Sequence, residues 1–246
     1  SPNVYMVYED NGEIYFSSST NNGTTWSPEI RLSEGEGNNH FPSIAINEIP
    51  NLAVTWERHD ISNQRIWIIF KMYRSGLWQS TKKYYNFQST VFNCPATPVV
   101  TSLGPTNYGA PDAHSWLFVW RNCPAHKLEY MKTNYEGDFY DYGQVPGSTG
   151  SGNASNPTIG SGIEFHLGYN KIYIAFNFWY YIRTVALIWN GSSWNWGSTH
   201  DLYYASSGKP QASADGAHFV HFSWQAGYGS YTNGTYLVHQ KVNTAN

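Results

Sequence analysis

Phe41-Pro42-Ser43-Ile44-Ala45-Ile46, followed by Leu52-Ala53-Val54-Thr55-Trp56-Glu57, is the stretch that decides the fold, because the chain repeats its plan. A Pro opens a short β-prone run, and a second run ends in an aromatic plus a polar residue. The plan recurs from Pro98 to Trp120-Arg121, from Pro157 to Phe176-Asn177 and from Pro210 to Trp224-Gln225. A third run comes next, and in the first three copies a Gly-aromatic turn follows it. Successive Pro residues lie 56, 59 and 53 positions apart. A period near fifty with about four strands per unit is the signature of a β-propeller, one repeat to a blade.

Working outward, Val4–Glu9, Glu13–Ser18 and Pro28–Leu32 read as a first unit that begins at its second strand. Unit two reads as Phe41–Ile46, Leu52–Trp56, Arg65–Tyr73 and Trp78–Tyr85, and unit three as Pro98–Ser102, Trp116–Trp120, Lys127–Thr133 and Phe139–Gln144. Unit four reads as Pro157–Gly160, Lys171–Asn177, Arg183–Trp189 and Trp194–Thr199. Unit five holds Pro210–Ala214, His218–Trp224 and Thr235–Val242. The second strands are apolar on both faces, as a blade sandwiched between two others requires. The expectation is an all-β propeller of about five four-stranded blades. Its terminal blades are incomplete, and residues 1–246 form one propeller domain.

Composition excludes several classes. Among 246 residues there are 11 Trp and 20 Tyr, only 13% are charged, and the formal net charge is −3. Nucleic-acid binding needs a basic stripe, which is lacking. No apolar run approaches the ~18 residues of a membrane span. The sequence opens at Ser1 without an initiator Met or signal peptide, which suits a processed secreted protein or a trimmed piece of a longer chain, and an extracellular or cell-surface location is expected. Cys94 and Cys123 each sit in an Asn-Cys-Pro-Ala phrase and flank the first two strands of unit three. A disulfide between them is expected. Asn22, Asn153, Asn190 and Asn233 each begin an Asn-x-Ser/Thr sequon in a predicted turn, so they are candidate glycosylation sites.

Ser19-Thr20-Asn21-Asn22-Gly23-Thr24-Thr25-Trp26 lies between the third and fourth strands of unit one. It resembles the Asp-box, or bacterial neuraminidase repeat, of sialidase-like propellers, with Asn21 in place of the usual Asp. Degraded forms follow at Gly76-Leu77-Trp78, Gly137-Asp138-Phe139-Tyr140 and Gly191-Ser192-Ser193-Trp194. The resemblance implies a propeller with these turns on the rim away from the active face. A working sialidase of this kind would also need three Arg on a carboxylate, a Tyr–Glu nucleophile and an Asp acid/base. Of the six Arg, only Arg58 and Arg121 just follow second strands. Glu57, Asp60 and Asp112 are the acids from which a glycosidase pair could be drawn.

The remaining candidates form a polar ring. Glu9, Glu57, Arg121, Asn177 and Gln225 end equivalent strands, each after an aromatic residue. Trp56, Trp120 and Trp224 would then be stacking platforms beside them for a sugar. The expected ligand-binding set is these residues with Arg58. His218 and His221 diverge on a strand, so no metal is expected. Asp10-Asn11-Gly12-Glu13 reads as a hairpin turn, and no cofactor motif is present. The reading is a non-catalytic propeller that binds a glycan or another surface ligand. A structural or adhesion module, whose terminal blades neighbouring chains complete, is one alternative. A sialidase-like glycosidase, or a fragment of one, is the other.

Overall fold

The computed structural model describes residues 3–35, 38–47, 51–88, 94–104, 115–150, 154–164, 169–179, 181–204, 209–214, 219–227 and 235–243. These residues form strands and turns, with no helix among them. Blade 1 contains β1 (Val4–Asp10), β2 (Glu13–Ser19) and β3 (Ile30–Arg31). Blade 2 contains β4 (Asn39–Ile46), β5 (Leu52–Asp60), β6 (Arg65–Arg74), β7 (Leu77–Trp78) and β8 (Lys82–Gln88). Blade 3 contains β9 (Val99–Ser102), β10 (Trp116–Asn122), β11 (Lys127–Thr133) and β12 (Phe139–Gln144). Blade 4 contains β13 (Ser155–Glu164), β14 (Tyr169–Phe178), β15 (Tyr181–Trp189) and β16 (Trp194–Tyr204). Blade 5 contains β17 (Gln211–Ala214), β18 (Phe219–Gly227) and β19 (Thr235–Asn243).

Each blade is an antiparallel meander in chain order. In blade 2 both β7 and β8 pair with β6, so the outer strand is a single path interrupted near Gln79. The first strands lie innermost: β4 packs against β9, β9 against β13, and β13 against β17. Gly160 on β13 makes room for blade 5, since a Cβ there would meet Val220 Cγ1 at 2.7 Å and Ala212 Cβ at 3.0 Å.

The core lies between blades, and strand alternation builds it. On β10, Trp116, Phe118 and Trp120 pack with Ala53, Ile66 and Phe70 of blade 2. The intervening Leu117 and Val119 pack with Ile172, Ile174 and Phe176 of blade 4. Leu52, Val54 and Trp56 on β5 likewise join Ile14, Phe16 and Leu32 of blade 1. Val220, Phe222 and Trp224 on β18 join Ala175 and Ile182 of blade 4. The aromatic residue near the end of each second strand therefore always faces the preceding blade.

The turn after β2 is hydrogen-bonded around Asn21. Its Oδ1 accepts from Thr25 N at 2.9 Å and from Ser19 Oγ at 2.8 Å, while Gly23 N donates to Ser19 Oγ at 2.8 Å. Gly23 has φ +83°, which glycine takes without penalty. Gly76, Gly137 and Gly191 hold the same place and sign of φ in blades 2 to 4. Trp26 is 40% exposed, and its ring lies beside Gly23, where a Cβ would meet Trp26 Cζ2 at 3.6 Å. These turns lie at the end of each blade opposite the β1–β2 hairpin.

Candidate ligand face

The residue before three of the repeat prolines has a left-handed backbone: Phe41 at φ 54°, Thr97 at 43° and Asn156 at 49°. Such a conformation costs a non-glycine residue roughly 1–2 kcal/mol, and a following Pro restricts it further. The β4–β5 register slips between His40 and Ser43, and the β13–β14 register between Ser155 and Thr158. These are bulges at the start of an inner strand, where Pro offers no N–H to the ladder. Lys209 takes the corresponding place before Pro210.

The bulges surround a cavity of about 430 Å³ between the inner strands. Pro42, Pro98 and Pro157 line it, with the hydroxyls of Ser43, Thr97 and Thr158, the Gln211 amide, Phe41 and Lys209. Phe41 is 42% exposed, so its ring is open to a ligand. Lys209 is exposed, yet desolvation still draws its ammonium below the ordinary lysine value. Sequence reasoning missed both residues. The signal was there, because each stands immediately before a repeat Pro, but the Pro read only as a strand opener.

The predicted polar ring lies at the same end of the blades but is differently oriented. Consecutive strand residues face opposite ways. With each aromatic turned to the preceding blade, the polar residue after it turns to the following one. Glu57 is fully buried. Its Oε2 accepts the N–H of Ala96 at 2.6 Å and of Thr97 at 2.9 Å, tying β5 to the segment that leads into β9. Its Oε1 lies 2.6 Å from His59 Nε2. Glu9 reaches His40 Nδ1 at 2.8 Å, again from one blade to the start of the next. Asn177 is 8% exposed.

Three corrections follow. Trp56, Trp120 and Trp224 are at most 1% exposed, so they are interblade core and present no stacking face. Glu57 is an internal strut with no open carboxylate. Arg58 and Arg121 diverge. Arg58 shares a face with Trp56 and donates to Glu34 O at 3.2 Å, in a smaller cleft of about 170 Å³ that includes Lys83. Arg121 faces blade 4. Its Nε is buried with no hydrogen-bond partner among the described residues, and desolvation lowers its pKa. Among the described residues no arginine lines the axial cavity. Arg31 is paired with Glu13 at 2.7 Å, and Arg183 with Asp201 at 2.6 Å.

Asp60 caps its own hairpin, accepting from Asn63 N at 3.1 Å and Asn63 Nδ2 at 2.9 Å; these bonds hold its carboxyl below the usual value. Among the described residues no group of three His, Cys, Asp or Glu is placed to hold a metal. Cys94 and Cys123 are joined with S–S 2.01 Å, linking the lead-in to β9 with the β10–β11 turn beside the cavity wall. Sequon residues Asn22 and Asn190 are exposed. Asn153, Asn233, Asp112 and His218 lie outside the described residues, as does the Gln225 side chain.

The fold is that of a β-propeller, and solved structures of sialidases and of an arabinofuranosidase are similar to it. An intramolecular trans-sialidase from Ruminococcus gnavus, in complex with oseltamivir carboxylate, superposes with TM-score 0.60 and 12% identity over 94% of this chain and 50% of the other. A leech intramolecular trans-sialidase complexed with 2,7-anhydro-Neu5Ac gives 0.61 and 13%, over 94% of this chain and 36% of the other. An alpha-L-arabinofuranosidase from Fusarium graminearum with arabinobiose gives 0.54 and 10%, over 87% and 68%. The chain thus spans about half or less of the length of these two sialidases. No protein-family model and no curated sequence matches it.

Proposed function

We propose that this chain is a carbohydrate-binding propeller of an extracellular or cell-surface protein, with the axial cavity as its ligand seat. One observation carries the reading: a concave site of about 430 Å³ joins an exposed ring, Phe41, with hydroxyls, an amide and the Lys209 cation. Sugars are held by this mix, with CH groups on a ring and hydroxyls on polar groups. The fold neighbours support the ligand class, since they are glycan-processing proteins captured with sugar-like ligands. The disulfide and exposed sequons fit an oxidising compartment. Arg121, turned toward blade 4 at the same end, is a second cation for an acidic sugar.

The test is a glycan array followed by titration of acidic and neutral hits. Lys209→Ala weakens an acidic glycan about tenfold or more and a neutral one less, because bonds to charged groups contribute roughly 1.5–3 kcal/mol. Arg121→Ala follows the same pattern if it meets the acid group. Phe41→Ala weakens both classes, by up to about tenfold. Absence of binding across the array removes the lectin reading and leaves an adhesion module. Hydrolysis of a fluorogenic sialoside would instead favour the enzyme, against the divergence of Arg58 and Arg121.

A further inference from the structure

Four ionisable side chains of blades 1 and 2 run beside the axial cavity and reach the backbone that leads into blade 3. Glu9 Oε1 on β1 lies 2.8 Å from His40 Nδ1 on β4. The His40 ring is 4.8 Å, centroid to centroid, from the His59 ring on β5. His59 Nε2 lies 2.6 Å from Glu57 Oε1, and Glu57 Oε2 holds the N–H groups of Ala96 and Thr97. Thr97 lines the cavity, as does Phe41, whose ring lies 6.1 Å from His40.

We infer that Glu57 and His59 are positioning residues for the cavity wall, and that the two adjacent, tilted imidazoles make the placement of Thr97 and Pro98 depend on solution pH. Thr97 keeps its left-handed backbone, φ 43°, while one carboxylate oxygen binds both its N–H and that of Ala96. A carboxylate accepts two such bonds more strongly than a neutral group. Protonating His59 converts its bond to Glu57 into an ion pair and draws charge toward Oε1, away from the two amides. His40 has acceptors at both nitrogens, Glu9 Oε1 and Asn38 Oδ1 at 3.3 Å, an arrangement the doubly protonated ring satisfies in full. Charging both rings sets like charges side by side, which adds to the strain on the contact that holds the two amides. The contacts of the pair include the carboxylates of Glu9 and Glu57 and the neutral Asn38 and Phe41. Blades 3 and 4 have Arg121 and Asn177 where blade 2 has Glu57, so the device belongs to one interface.

That this matters for ligand binding rests on the axial cavity being the ligand seat, but the test does not. Amide and imidazole resonances of the intact chain are followed from about pH 8 to pH 5. The Ala96 and Thr97 amides shift with a midpoint shared by the His59 ring. His59→Gln abolishes that shift, and His40→Gln moves its midpoint. Glu57→Gln, which keeps an acceptor without the charge, also flattens it. Amides that stay constant in the unaltered protein, or that titrate unchanged in either His variant, overturn the inference. Failure to bind any glycan would leave these resonances as they are, so the two readings fall separately.

Discussion

Arg183 and Asp201 show what one residue pair contributes. Arg183 donates through Nε at 2.6 Å and Nη2 at 2.9 Å to the two carboxylate oxygens, and through Nη1 to Gly147 O at 2.9 Å. Its guanidinium lies 4.0 Å from the Phe178 ring centroid. The Arg183 hydrogen bond and charge hold the Asp201 carboxyl below its ordinary value, against desolvation. A depressed folded-state value means the stabilisation is present above the unfolded value of about 3.9 and is lost as pH falls through the folded one. The side chains are 19% and 38% exposed, so solvent screening limits the pair to about 1 kcal/mol. Asp201→Asn therefore lowers stability by up to that amount at neutral pH. Urea melts of the two proteins converge in acid, below both values.

At the scale of the element, β10 is the informative strand. Five successive residues, Trp116 to Trp120, are fully buried, and they serve two interfaces in alternation. Trp120→Ala removes a large ring from the blade 2–3 core and costs about 3–5 kcal/mol in chemical denaturation. Trp26→Ala, at a 40% exposed rim position, costs far less. Strands such as Lys127–Thr133 and Phe139–Gln144 were fully legible in the sequence. The ends of β5 and β16 were not, because polar residues such as Arg58-His59-Asp60 continue the ladder beyond the apolar run. The polar ring was half legible. The repeat located Glu57 and Arg121, but adjacent residues of a strand face opposite ways, so Trp56 and Glu57 cannot both serve one ligand. Phe41 and Lys209 needed the bulges, which pattern alone does not reveal.

At the scale of the molecule, the described residues spread stability over four interblade cores that share strands but few side chains. Trp56 and Phe222 belong to the first and last of them, so the losses from Trp56→Ala and Phe222→Ala add within about 0.5 kcal/mol. Ile68→Ala and Phe118→Ala share one core and depart from additivity. The disulfide between Cys94 and Cys123 closes a 29-residue separation and contributes roughly 3–4 kcal/mol by restricting the unfolded chain. The prolines at the axis have one further effect. Pro42, Pro98 and Pro157 carry carbonyls but no N–H, and the nearby amides of Ala96 and Thr97 are already spent on Glu57. The backbone around the mouth is therefore rich in lone pairs and poor in hydrogens to give. It suits guests that donate to it, such as the hydroxyls of a polyol, and leaves the accepting groups of a guest to the Lys209 ammonium.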